Sequence, residues 1–247
     1  MSATGGRGRA RVHRRRRRKT ELDAAVEVIG SAATAVTGDI SNLADLDRLY
    51  ETIRSRGRGL DVLFANASVA ALVPLEQVTE EHFDTLFRIN VRGMLFTVQK
   101  ALPLLNDGSS VILNAGDEGL GVYAATKAAT RQFSRTRANE LKGRGIRVNT
   151  APAPEQFKQH RAMRVPLGRL GRPGEIAVAV TFLASGQCSF VSGFCLYVDG
   201  GLNRIWRARR RGSCRASRPD KVSRPDNVRS EPRLGVVIQK GSSHVRH

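Results

Sequence analysis

The sequence predicts an α/β fold: a single domain built on an open, doubly wound parallel sheet with helices on both faces. Three observations predict it. From Thr20 onward, short apolar runs alternate with stretches of helical period. One of those runs, Asp61 to Ala65, is continuously apolar after its first residue, the pattern of a parallel strand buried on both faces. Strands separated by helices pair in parallel through right-handed crossovers, and 247 residues suit one such domain.

Glu21 to Gly30 reads as a helix, with Leu22, Ala25, Val26 and Ile29 at helical spacing and Gly30 as its stop. Ala33 to Thr37 is a short strand leading into Gly38-Asp39. Leu43 to Ser55 is an amphipathic helix capped by Ser41 or Asn42. Thr79, followed by Glu80 and Glu81, starts a further helix, because a hydroxyl cap and early carboxylates complement its free amides. Phe83, Leu86, Phe87, Val91, Leu95, Val98 and Leu102 continue one apolar face from there. Ser110 to Asn114 is a buried strand, Val122 to Lys142 a long helix closed by Gly143, and Ile146 to Asn149 the strand after it. Pro173 to Ala184 is helical, and Gly193 to Val198 is a final strand. Ligands in such sheets bind beyond the C-terminal strand ends, at the switch in strand order.

The net charge is +19, from 41 Lys and Arg against 22 Asp and Glu. A field of that strength first suggests a polyanion binder. The charge sits in the ends, however: residues 1–19 hold nine basic and no acidic side chains, and residues 202–247 hold thirteen and three. Thr20 to Gly201 is balanced. The expected organisation is a basic, disordered segment over 1–19, a domain over 20–201 and a basic, disordered tail over 202–247, with a short strand at Leu234 to Gln239. Cys188, Cys195 and Cys214 have no metal-ligand spacing, so neither a metal nor a disulfide framework is expected. The absence of an apolar run long enough to span a membrane or form a signal peptide leads to an expected cytoplasmic location.

Tyr123 and Lys127, four residues apart, share one helix face. A phenol beside an ammonium can give or take a proton opposite a carbonyl or alcohol, although such a pair is also an ordinary helix surface. The neighbouring motifs add to the signal. Tyr123-Ala-Ala-Thr-Lys127 followed by Gly145-Ile-Arg-Val-Asn149, Gly38-Asp39-Ile40-Ser41, Leu63-Phe-Ala-Asn66-Ala67-Ser68, Asn90-Val-Arg-Gly93, Pro166-Leu-Gly-Arg-Leu-Gly-Arg-Pro173-Gly-Glu-Ile176 and Val198-Asp199-Gly200-Gly201 resemble, in order, the motifs of the short-chain dehydrogenase/reductase family. The resemblance covers about Thr20 to Gly201.

It implies a Rossmann-like sheet and hydride transfer between a nicotinamide cofactor and a carbonyl or alcohol. Tyr123 would transfer the proton; Lys127 would hold the nicotinamide ribose and favour the phenolate; Asn90 would support a water-borne proton relay. Asp39, Ile40, Asn66 and Ala67 would line the adenine side, with Tyr123 and Lys127 completing the cofactor site. NADP is the expected cofactor and NAD the alternative, because Arg14 to Arg18 stand about where NADP-preferring members carry basic residues for the 2′-phosphate. The implied partners are a small-molecule carbonyl or alcohol and a second copy of the chain as homo-oligomer, with nucleic acid not expected. On local features alone, Asp39 could cap a turn, Asn66 and Ser68 could be loop formers, and Asn90 a tolerated surface polar residue.

Three departures from the family pattern predict weak activity or none. The residues before Thr20 are too few for the family's first strand, glycine-rich turn, helix and second strand, so a fold lacking the first strand and the phosphate-binding loop is expected; Thr4-Gly5-Gly6-Arg7-Gly8 has no apolar strand before it. The strand end that carries the family's serine reads Asn114-Ala115-Gly116-Asp117, and Ser110 stands at the start of that strand, on the wrong edge of the sheet. The loop Thr150 to Arg164 is short, with Pro152-Ala153 in place of Pro-Gly. One or both of the basic ends read as sequence from a shifted frame or relocated start, the mark of an eroded dehydrogenase gene. The alternative function is a degenerate, non-catalytic Rossmann-like protein whose basic tails contact nucleic acid or anionic surfaces.

Overall fold

The computed structural model describes residues 19–31, 33–71, 73–115, 121–151 and 165–202, together with the backbone of 234–239. Helix α1 covers residues 19–29 and ends where Gly30 takes φ +83°, with the Gly30 N–H closing on the Val26 carbonyl. Strand β1 (Ala33–Gly38) and helix α2 (Leu43–Arg54) follow. Asn42 caps α2: its side chain accepts from the Ala44 N–H. Strand β2 is Leu60–Ala65. Helix α3 (Glu80–Phe87) is capped by Thr79, which accepts from the His82 N–H.

A π-helical turn, Arg88–Gly93, joins α3 to α4 (Met94–Ala101). Downstream lie β3 (Leu105–Asn114), α5 (Gly121–Glu140), β4 (Arg147–Ala151), α6 (Pro173–Ala184) and β5 (Leu234–Gln239).

Strands β2, β3 and β4 form a parallel sheet with β3 in the middle. Along β3 alternate residues serve the two faces, as the pleat requires. Val111 and Leu113 join a core with Leu86, Ile89, Val98, Tyr123 and Val148, whereas Ile112 packs with Ala151, Leu183 and Cys188. Helices therefore cover both faces, α3 to α5 on one and α6 on the other, as expected of a doubly wound α/β domain. The Tyr50 hydroxyl donates to the Thr97 carbonyl and ties α2 to α4.

The structure corrects several expected details. Strand β1 does not join the parallel sheet; it pairs antiparallel with β5, from Ala33 opposite Gln239 to Gly38 opposite Leu234. Strand β2 is not buried on both faces, since Val62 and Phe64 are 41% and 38% exposed. One edge of β2 has no strand partner among the described residues, and an apolar run alone does not reveal that.

Gly193 to Val198 forms only a single parallel bridge, Cys195 with Thr150, flanked by backbone hydrogen bonds to β4. Helix α5 stops at Glu140, and the turn after it closes at Gly145 (φ +63°) rather than at Gly143. After α3 the buried face runs through Asn90, Gly93, Met94, Thr97, Val98 and Ala101, leaving Val91, Leu95 and Leu102 only half-buried. Hydropathy misses that face because three of its members are polar or glycine. The expectations for residues 1–18, Gly116, Asp117, residues 152–164 and most of the tail lie outside the described residues.

Candidate active site

The site is built at the C-terminal ends of β2 and β3 and on the helix that follows. Strand β3 ends at Asn114, whose side-chain amide donates to the Asn66 carbonyl and to its Oδ1, both at 3.2 Å. These bonds tie the turn after β2, which holds Asn66 and Ala67, to the end of β3. The first turn of α5 begins at Gly121 with φ +65°, a conformation glycine adopts without strain. Tyr123 lies there at 3% exposure, and Lys127, one turn on, is fully buried. The Lys127 Nζ donates to the Asn114 carbonyl at 3.1 Å and lies 5.4 Å from the centroid of the Tyr123 ring.

Asn90 is fully buried in the π turn, which rules out the surface reading. Its Oδ1 accepts from the Val69 N–H, and its Nδ2 donates to the Val69 carbonyl, each at 2.8 Å; Nδ2 also donates to the Thr126 hydroxyl at 3.1 Å. Thr126, which sequence reasoning did not single out, donates in turn to the Tyr123 carbonyl at 2.7 Å. A threonine within Tyr-Ala-Ala-Thr-Lys on the buried face of α5 was the available signal. Asn90, Thr126, Tyr123 and Lys127 are thus brought together.

Asp39 and Ile40 form a separate turn after β1. The Asp39 Oδ1 accepts from the Ser41 N–H at 2.9 Å and from its hydroxyl at 2.8 Å, so the carboxylate does shape a turn. Ile40 is 2% exposed and packs against Gly93. Ser110 is not at the start of its strand, because β3 begins at Leu105. It is, however, the residue at which pairing with β4 begins, opposite Arg147, and its hydroxyl donates to the Leu183 carbonyl at 2.8 Å. Its position in mid-strand corrects the expected place at the strand start; its hydroxyl is engaged with α6, on the face of the sheet opposite to the one where Val111, Leu113 and Tyr123 pack.

A model of the family described as enoyl-(acyl carrier protein) reductase matches residues 9–203. The chain belongs to the short-chain dehydrogenase/reductase family. It is 39% identical to oxidoreductase asL5 of Sarocladium schorii over 209 residues, covering 76% of this chain and 84% of that protein. It is 32% identical to the 3-oxoacyl-[acyl-carrier-protein] reductase FabG of Thermotoga maritima, covering 74% and 84%. Among solved structures, the 3-ketoacyl-(acyl-carrier-protein) reductase of Brucella melitensis, complexed with NADH, superposes with a TM-score of 0.70 at 30% identity, covering 74% and 84%. The match is that of an oxidoreductase family, which favours this reading over a non-catalytic binder. It begins ahead of Thr20, so Arg14 to Arg18 fall within the family's range.

The described residues fit part of a nicotinamide cofactor. A buried ammonium beside a buried tyrosine at the C-terminal strand ends suits a ribose and a reacting oxygen, and the Asp39 turn suits an adenosine. No glycine-rich phosphate turn between strand and helix is present among the described residues. Among them, too, no helix is long and apolar enough to cross a membrane.

Proposed function

We propose that this chain transfers hydride between a nicotinamide cofactor and a small carbonyl or alcohol, with Tyr123 as the proton-transferring residue. The single observation that carries the proposal is Lys127. A fully buried lysine is costly unless its charge is compensated, and this one is held between the Asn114 carbonyl and the Tyr123 ring. A helix surface pair would have left it in solvent.

When bound, the cofactor supplies or accepts the hydride at the substrate carbon. Tyr123 gives its hydroxyl proton to the carbonyl oxygen in reduction and takes it back in oxidation, so a C–H and an O–H bond form or break together. Lys127 would hold the nicotinamide ribose, and it keeps positive charge beside the phenol. Asn90 keeps the turn beneath them fixed through Val69 and Thr126. Asp39, Ile40, Asn66 and Ala67 would line the adenine side, and with the Ile40 side chain buried its backbone is the part left for that role.

NADP is the proposed cofactor, supported by the arginine run inside the family match, and a homo-oligomer in the cytoplasm is the proposed state. Because the Ser110 hydroxyl is bound to the Leu183 carbonyl, it does not serve as the family's serine, and none of the described residues at the end of β3 replaces that donor to the reacting oxygen. One missing donor of this kind costs about 10²- to 10³-fold in kcat. The reaction is therefore slow. A β-ketoacyl thioester, the substrate class of the two acyl-carrier-protein reductases this chain resembles, is the first substrate to test: NADPH consumption by the wild-type chain and its loss in Tyr123→Phe support the proposal, and equal rates in the two oppose it.

A further inference from the structure

The π turn Arg88–Gly93 faces two sites at once. On its inner side, Asn90 binds the Val69 backbone and the Thr126 hydroxyl, and Thr126 binds the Tyr123 carbonyl. On its outer side, the Arg88 Nη1 donates to the Ser41 hydroxyl and the Arg92 Nη1 to the Ser41 carbonyl, both at 3.2 Å. Ser41 in turn donates twice to the Asp39 carboxylate. Between the two sides sits Gly93. A Cβ there would lie 2.9 Å from the Ile40 Cγ1 and 3.1 Å from the Ile40 carbonyl oxygen, and Ile40 is 2% exposed. Neither partner has room to move past the other.

We propose that Arg88, Arg92 and Gly93 are positioning residues that couple the Gly38 to Ser41 turn to Tyr123, so that adenosine bound at that turn orders the proton-transferring helix. The inference rests on the reading of Asp39 to Ser41 as the adenine turn. The contact between Gly93 and Ile40 seats the turn on the π helix, and the two arginines fix its orientation from outside. The arginine bonds are exposed and individually weak. Acting together on one residue, they clamp Ser41 while leaving the inner bonds of Asn90 untouched. Arg88 and Arg92 stand two residues on either side of Asn90, so the helical coil carries the two arginines on the face opposite to it.

Amide hydrogen exchange of the full chain with AMP, which lacks the nicotinamide half of the cofactor, tests the proposal. Saturating AMP is expected to slow exchange at Ser41 and also at Val69 and the first turns of α5, by at least about threefold. In Arg88→Ala/Arg92→Ala, AMP is expected still to bind and to protect Ser41 while the protection at Val69 and α5 is lost; Arg88→Lys/Arg92→Lys restores part of it. In turnover, the alanine pair lowers kcat at saturating cofactor as well as raising the cofactor KM, whereas a group that only touched adenosine would change KM alone. AMP that binds the wild-type chain but protects the 38–41 turn only, or protection at Val69 and α5 that persists in the alanine pair, overturns the coupling and leaves the cofactor reading standing. No saturable AMP binding to the wild-type chain overturns both. The wild-type measurement decides the matter even if the variants do not fold.

Discussion

Asn90 and Val69 exchange two hydrogen bonds of 2.8 Å, so one side chain satisfies both polar groups of a buried backbone position. Removing the amide leaves the Val69 N–H and carbonyl without that partner. Asn90→Ala should therefore lose about 2 to 6 kcal/mol of stability, since each of the two orphaned buried groups costs about 1 to 3 kcal/mol. Urea denaturation checks this; a loss under half a kcal/mol would show that water replaces the side chain without penalty.

Tyr50 makes a second buried contact between helices, donating to the Thr97 carbonyl. Burial pushes its phenol well above the usual tyrosine range. A raised folded-state pKa means that the folded chain keeps a proton the unfolded chain releases. The stabilisation is complete below the ordinary tyrosine value of about 10 and declines as pH rises beyond it. Tyr50→Phe should be less stable than the wild-type chain at pH 7 by about 1 kcal/mol. It should also show a shallower loss of Tm above pH 10; parallel alkaline profiles would refute the assignment.

At the start of α6, Arg169 grips the Glu175 carboxylate with two bonds, of 2.7 and 2.8 Å, and the Arg172 N–H adds a third at 2.7 Å. These bonds, the Arg169 side chain foremost, hold the Glu175 carboxyl down at about 2. A depressed carboxyl stabilises the fold above its ordinary range and loses that contribution as pH falls toward the depressed value. Arg169→Ala should return the Glu175 titration, read by carboxyl NMR, toward the usual carboxylate range and flatten the acid side of the stability profile. The pair is exposed, so the effect at neutral pH is small.

Ser110 and Arg147 meet at the Leu183 carbonyl, which both bond at 2.8 Å; Arg147 also bonds the Ser185 and Cys188 carbonyls. Together they cap the C-terminal end of α6, where carbonyls lack helical partners. Arg147→Ala should lose about 1.5 to 3 kcal/mol, the range for hydrogen bonds to a charged donor. Ser110→Ala should cost less and leave turnover unchanged; a fall in kcat without a fall in stability would instead place Ser110 in the chemistry.

The helices and their starts were legible in the sequence because caps are local chemistry: Asn42, Thr79 and the Pro173 to Ala184 helix all stand where residue type put them. The meeting of Tyr123 with Lys127 was legible from helical spacing. The π turn was not, because nothing in Arg-Ile-Asn-Val-Arg-Gly departs from an α-helical pattern; the wider coil goes with bonds from Asn90 to residues 21 and 36 positions away. The pairing of β1 with β5 was hidden for a similar reason, since strand partners far apart in sequence leave no local mark. The exposed face of Val62 and Phe64 escaped because apolar composition reports what a strand can bury, and neighbours decide what it does bury.

Fluorescence titration of the full chain with NADPH and with NADH, comparing wild type with Lys127→Ala, tests the central claim most directly. The buried Tyr123 and Lys127 site predicts saturable binding by the wild-type chain, tighter for NADPH, with affinity reduced at least about tenfold in Lys127→Ala, as loss of one charged hydrogen bond implies. Absence of saturable binding, or equal affinity in wild type and variant, would contradict it.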